Sequence, residues 1–323
     1  MRLKVREMQR IVTLGEILVE LMATERGQSF RSPGTLVGPF PSGAPAIFID
    51  QVAKLGHPCG IISCVGDDDF GWLNIERLRA DGVDVSAIRV HPDQVTGSAF
   101  VRYREDGERD FVFNIKHSAC GQTALTEAAE KLLTGCGHFH IMGSSLFSFR
   151  IIDATKRAIE MVKEQGGTVS FDPNIRKEML ASPEMRAALE LMLEYSDIVL
   201  PSGPELMLLT EAKTEAEAIA EILGLGVSAI VMKRGSQGAS YHDANGSLQL
   251  PGYSVPEVDP TGAGDCFGAT FVTCRLLGHS TIDCLRYANA SGARAVGAKG
   301  PMEGTSTFAQ LDALINAAEG SQA

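Results

Sequence analysis

The sequence predicts an α/β protein, with a mostly parallel sheet covered by helices on both faces and a small β lid beside it. Three observations predict this. Short β-branched runs alternate with amphipathic stretches over most of the 323 residues, and such alternation makes parallel strands whose crossover helices cover the sheet. Two segments, roughly 18–40 and 97–115, break that rhythm. The second, GSAFVRYREDGERDFVFN, alternates around Asp106-Gly107 as a hairpin does. No Pro/Ser-rich linker, low-complexity tract or charge block divides the chain, so residues 1–323 are expected to form one α/β unit carrying its lid.

In chain order, RIVTLG reads as the first strand and APAIFIDQVAKLG as the first helix. A Gly-Ala-Pro turn opens that helix, since proline is tolerated in a first turn, where its missing N–H has no helical partner. Its Ile47, Val52 and Leu55 would face the core. CGIISCVG is a strand and FGWLNIERLRADG a helix. After the lid hairpin come GHFHIMG (strand), TKRAIEMVKEQGG (helix), TVSFDPN (strand), ALELMLEYS (helix), and the strands DIVLPS and SAIVMKRG. His138 and His140 share one face of their strand. They read as ordinary strand residues rather than a metal pair, because a third ligand is not evident.

Composition narrows the function classes. With 44% hydrophobic and 21% charged residues, the chain has ample material for a core. A net charge of -11 disfavours broad nucleic-acid or anionic-membrane binding. The seven cysteines are scattered, with no C-x-x-C pair, so neither a disulfide framework nor a zinc site is expected and a reducing cytoplasm fits best. The start, MRLKVREMQRIVTLGE, lacks the apolar region of a signal peptide, and no run of about twenty apolar residues could span a bilayer.

The stretch VDPTGAGDCFGATF, 258–271, packs three glycines and two aspartates before an apolar run. Its glycines have the wrong spacing for G-x-G-x-x-G and there is no Walker A sequence. The physical alternative is a tight turn whose backbone N–H groups at Gly262, Ala263 and Gly264 face a concavity at the start of the helix CFGATFVTCRLL, making an anion hole. Asp265 at that helix start could take a proton from a reacting hydroxyl. It could equally be a helix cap beside a turn.

The run DPTGAGD resembles the C-terminal signature of the ribokinase family, also called the PfkB carbohydrate kinases, and the resemblance extends over nearly the whole chain. It implies a ribokinase-like three-layer α/β/α sandwich whose β lid covers the site. It implies Asp265 as catalytic base, Gly262, Ala263 and Gly264 as the anion hole, and Asp259 with Thr261 near a monovalent cation such as potassium. GEILVE resembles the family's first strand, placing Glu20 against the sugar where aspartate is more usual. PSGAPAIFIDQVAKLG resembles the fructokinase PGGAPAN segment, giving Ser42 and Gly43 as substrate contacts, with Ile47 where asparagine would stand. SFDPNIRKEML resembles the segment in which Asn174 and Arg176 lie near the phosphate path. VMKRGSQGA and YANASGARAVGAKG resemble the nucleotide-binding segments and imply Lys233, Gly235, Gly238 and Asn289 as ATP contacts. The N-x-x-E motif appears as SGPE, with Ser202 on the nucleotide side and Glu205 holding magnesium through water.

The resemblance implies an ATP- and magnesium-dependent kinase acting on a hydroxyl of a small sugar, with relatives dimerising through exposed lid strands. Kinases for 2-keto-3-deoxygluconate resemble this chain but carry a lid Tyr-x-Arg pair. At that place stand Phe113, Asn114 and Ile115, so Asn114 is the expected lid contact and a neutral ketohexose, tagatose or fructose, the expected acceptor. An acid-sugar kinase, a nucleoside kinase using Tyr103 and Phe113, and a sugar-binding regulator without catalysis are the alternatives.

Overall fold

The strand Arg10–Leu14 (β1) is buried along nearly its whole length, as expected of a central parallel strand with helices on both faces. The computed structural model describes residues 9–106, 109–175 and 183–320. The other strands are Leu18–Ala23 (β2), Leu36–Ser42 (β3), Cys59–Gly66 (β4), Ile88–His91 (β5), Gly97–Tyr103 (β6), Arg109–Asn114 (β7), Cys136–Met142 (β8), Thr168–Asp172 (β9), Ile198–Val199 (β10), Ala229–Lys233 (β11), Ala239–Asp243 (β12) and Gly246–Leu250 (β13). The helices are Ala44–Lys54 (α1), Asp69–Asp81 (α2), Glu127–Leu133 (α3), Phe149–Glu164 (α4), Pro183–Tyr195 (α5), Glu205–Leu208 (α6), Glu215–Gly224 (α7), Ala263–Leu276 (α8), Thr281–Val296 (α9) and Phe308–Gly320 (α10).

Nine strands form the large sheet in the order β13-β12-β11-β10-β9-β8-β1-β4-β5. Pairing is parallel from β5 to β11 and antiparallel for β11-β12 and β12-β13. One face packs on α1, α2, α8 and α9 through residues such as Phe48, Leu78, Phe271 and Leu285. The other packs on α3, α4, α5 and α7 through Leu133, Ile159, Met192 and Ile222. Each such side chain, fully withdrawn from water, contributes roughly 1.5–3 kcal/mol, and together they make the three-layer sandwich that the sequence implies.

The two off-rhythm segments pair into a second sheet, in the order β3-β2-β6-β7. β6 and β7 form the expected hairpin, with Tyr103 opposite Arg109 and Ser98 opposite Asn114. β2 follows β1 almost directly, so the lid is rooted at the carboxyl end of the central strand. That is the end where ligands bind in open α/β sheets.

His138 and His140 are buried in β8. His138 bonds Thr168 Oγ1 at 2.8 Å and Ser170 Oγ at 2.7 Å, while His140 bonds Ser170 Oγ at 2.8 Å and stacks on Phe48. Burial pushes His138 down to about 3. Both are neutral core groups, and no metal-holding cluster of three His, Cys, Asp or Glu occurs among the described residues.

Candidate active site

The carboxyl ends of the strands and the lid enclose a cavity of about 1390 Å³, and a second of about 870 Å³ adjoins it. Gly262 caps α8 at φ +81, and a β-carbon there would stand 2.5 Å from Pro301 O, so glycine is required on both counts. This turn sets Ala263, Gly264 and Asp265 in the first turn of α8, whose early N–H groups have no helical acceptor. Asp265 is buried and lines the larger cavity with Gly262 and Gly264. Ala263 lines the smaller one.

Asp259 holds the turn from below. Its carboxylate accepts from Thr261 N at 3.0 Å, Thr261 Oγ1 at 2.7 Å and Gly300 N at 3.2 Å. Thr261 Oγ1 in turn accepts from Arg109 NH1 of the lid at 2.7 Å.

Lys233, at the end of β11, is buried and paired with Asp172 at the end of β9. Burial pushes Asp172 up while the Lys233 ammonium beside it pulls it back. A β-carbon on Gly264 would meet Lys233 Nζ at 3.5 Å, so this charge stands next to the helix start. Glu205 accepts from Ile175 N at 2.7 Å and Ser202 N at 2.6 Å, joining the segments after β9 and β10. Burial raises its carboxyl, and the Asp172 charge adds to that.

Towards the lid, Ser42 Oγ donates to Glu20 Oε2 at 3.2 Å, and both line the larger cavity. Glu16 lies beside them and accepts from Ser144 and Ser145 at 3.2 and 2.5 Å. Gly43 caps α1 at φ +114, and a β-carbon there would stand 2.4 Å from Glu16 O. Asn174, at φ +39, lines the same wall. In the smaller cavity, Gly235, Gly238 and Asn289 stand with Phe267, Ala293 and Val296, a mixture suited to a planar base and its phosphates. Ser202, Lys233, Pro260, Gly264 and Arg109 line both cavities.

Some expectations need correction. Asn114 is exposed at the last position of β7 and does not line the cavity, whose lid wall on that strand runs from Arg109 through Asp110, Phe111 and Val112 and ends at Phe113. Ile47 is a core residue at 2% exposure, packed beneath Gly262 while contributing to the cavity wall. Arg176 lies outside the described residues. The lid does carry cations: Arg102, Arg104 and Arg109, with Arg31, line the larger cavity. They lie outside 113–115, on both strands and the turn of the hairpin and in the loop between β2 and β3. Arg102 and Arg104 are paired with Asp110 at 2.6 and 2.8 Å. Glu16 and Asp172 were also missed, although each sits inside a quoted motif, GEILVE and SFDPN. Burial of a carboxylate is invisible until the fold is known.

A family model described as pfkB family carbohydrate kinase matches residues 8–307. The chain belongs to that family. Among its relatives, Fructokinase-1 of Oryza sativa subsp. japonica is 30% identical over 95% of this chain and 98% of the relative. The solved structure of a "putative Ribokinase II" from E. coli in complex with ATP and Mg2+ is 56% identical, covers 96% of this chain and 99% of that one, and superposes with a TM-score of 0.92. A fructokinase from Vibrio cholerae O395, solved as a double mutant with fructose, ADP and potassium ion, is 26% identical over 95% of this chain and 98% of its own, with a TM-score of 0.81. As a pfkB family member the chain is a carbohydrate kinase, a phosphotransferase with an alcohol acceptor. The ribokinase-like fold, with its large mostly parallel sheet and small second sheet, agrees with these structures.

Proposed function

We propose that this kinase transfers the γ-phosphate of ATP to a hydroxyl of a neutral ketohexose, fructose or tagatose. The observation that carries this reading is the place of Asp265 and the glycine turn, beside residues shared by the sugar-side and nucleotide-side cavities. Asp265 takes the proton of the acceptor hydroxyl. The N–H groups at the start of α8 and the Lys233 ammonium stabilise the phosphoryl charge. Glu16, Glu20 and Ser42 offer hydroxyl acceptors and donors deep in the sugar side. Among the described lining residues five basic side chains face six acidic ones, which suits a polyol better than an anion.

Magnesium fits the residues present. Asp172 Oδ1 is buried without a hydrogen-bond partner among the described residues, and the Glu205 carboxylate lines the same cavity. Such oxygens, with water between, suit the ion. When bound with ATP it would neutralise charge on the phosphates. Potassium near Asp259 and Thr261 is supported by a buried carboxylate that has no salt bridge among the described residues. The catalytic unit is a single ribokinase-like domain. It pairs through its lids as a homodimer, a reading supported by the edge position of β7 and its exposed Phe111, Val112 and Phe113. A cytoplasmic setting is supported by seven buried free thiols, and no helix of the described residues is long and apolar enough to cross a membrane.

The test is a coupled assay of ADP release across a panel of ketohexoses, aldoses, nucleosides and acid sugars, with MgATP and with potassium or choline chloride. Turnover greatest with a nucleoside, or none with any ketohexose, would overturn the reading.

A further inference from the structure

We infer that Arg109 is a catalytic residue delivered by the lid, touching the phosphoryl group as it passes between the two cavities. The inference rests on the kinase reading above, and the observations behind it are independent of which sugar is bound.

Among the described residues of the lid sheet, Arg109 alone lines both cavities. It opens β7, and its guanidinium reaches from the lid to the loop that precedes the anion hole. There NH1 donates to Thr261 Oγ1 at 2.7 Å, and that hydroxyl passes its own hydrogen to the buried Asp259 at 2.7 Å. The hydroxyl can therefore accept in one orientation only. The guanidinium also lies 5.5 Å from the centroid of the Phe111 ring, a second hold on its plane. A guanidinium is a planar fork with donors beyond the one used on Thr261. Held in this way, it faces the space that the acceptor oxygen enters from one side and the γ-phosphate from the other.

The step balances without it. As Asp265 takes the acceptor proton, the acceptor oxygen bonds to the γ-phosphorus, and the bond from that phosphorus to the bridging oxygen breaks, its electron pair leaving with ADP. Arg109 forms and breaks no covalent bond. It places positive charge where the equatorial oxygens carry negative charge in transit. The anion hole and Lys233 belong to the sandwich, so they are present whether or not the lid is docked. Arg109 arrives with the lid, and full stabilisation is reached only when the acceptor is covered and water excluded.

The test uses the full chain, wild type and the variants R109A, R109Q and T261V, with whichever sugar the wild type phosphorylates. R109A should lower kcat by about 10²- to 10³-fold, with the sugar KM changed less than about threefold. R109Q, which keeps bulk and a hydrogen bond but no charge, should fall nearly as far, and T261V should lose about tenfold by loosening the guanidinium. Binding of MgADP with aluminium fluoride and sugar, a mimic of the transferring phosphoryl group, should weaken in R109A while MgADP alone binds as in wild type. Added guanidinium ion should restore part of the activity of R109A and none of that of D265N. A kcat within about threefold of wild type in both R109A and R109Q would overturn the inference. So would a loss confined to the sugar KM, or a loss of kcat with undiminished affinity for the fluoride complex. A wild type that ignores every ketohexose would sink the acceptor assignment, and Arg109 would then be judged on the acceptor it does use.

Discussion

Ile47 Cγ2 lies 3.1 Å from where a β-carbon on Gly262 would stand. Helix α1 and the glycine turn before α8 are thus in direct contact, and the residue that occupies the asparagine position of fructokinase-like motifs supports that turn from beneath. Ile47→Val should cost about 0.5–1.5 kcal/mol and leave the ranking of ketohexose epimers unchanged, as read by urea unfolding and kcat/KM. Ile47→Asn should cost more, by burying an amide, and should alter that ranking at the cavity wall. An unmoved ranking in Ile47→Asn assigns the residue to core support alone.

Asp265→Asn should fold normally, keep the sugar KM within a few-fold, and lower kcat by about 10²- to 10⁴-fold. Steady-state kinetics and a melting curve check this together. Near-normal turnover would remove Asp265 as the base.

The two turn glycines should respond differently. Gly262→Ala forces a side chain to φ +81 with a carbonyl oxygen 2.5 Å away, and should destabilise by at least about 1–2 kcal/mol. Gly264→Ala meets only Lys233 at ordinary contact distance and should fold with little loss. Gly264→Val should raise the KM for ATP, because the branched side chain enters the space between the helix N–H groups and Lys233. Unchanged ATP kinetics in Gly264→Val would dissolve the anion-hole assignment there.

Acid should weaken the fold through His138, whose ring is held at about 3 in the folded chain against an ordinary 6.5. Between those values the unfolded chain binds a proton that the folded one refuses, so stability is complete above 6.5 and falls as pH drops toward 3. The slope is at most about 1.4 kcal/mol per pH unit for this ring. His138→Asn should flatten the pH dependence of urea unfolding between pH 6.5 and 5 by up to that amount. An identical slope would mean that the ring titrates elsewhere.

Given a choice of acceptors, the enzyme should use 2-keto-3-deoxygluconate at least about tenfold less well in kcat/KM than its best ketohexose, a difference of about 1.4 kcal/mol. Arg102 and Arg104 are already engaged by Asp110, and an incoming carboxylate would have to displace that partner while losing its own water. A direct competition favouring the acid sugar would overturn the neutral-acceptor assignment.

The sandwich was legible in the sequence because strand and helix periods alternate cleanly: CGIISCVG is β4 residue for residue up to its final glycine. The lid was legible because its alternation surrounds a turn. The DPTGAGD turn was legible because closely spaced glycines before an apolar run mark a tight turn opening a helix, and Gly262 does cap α8 at φ +81. Long-range partners were not. Nothing near Thr261 in the chain announces Arg109, 152 residues away, and Lys233 gives no local sign that its counter-ion is Asp172. Asn114 differed for another reason: it is the last residue of β7, opposite Ser98, and the cavity wall ends one residue earlier, at Phe113, a limit set by where the lid meets the sandwich and not by the strand's own pattern.

Cys120 sits under the root of the lid. Its Sγ donates to Ile17 O at 3.1 Å and stands 2.8 Å from where a β-carbon on Gly97 would be. Burial pushes its thiol up to about 12, as it does for Cys59 and Cys136 in the two core layers. In the closed fold none of these sulfurs is a competent nucleophile. Alkylation of each is therefore a clock for the opening that exposes it. A maleimide that tags Cys120 faster than Cys59 or Cys136 would time the lid lifting from the sandwich, and sugar binding should slow that one clock while leaving the other two running.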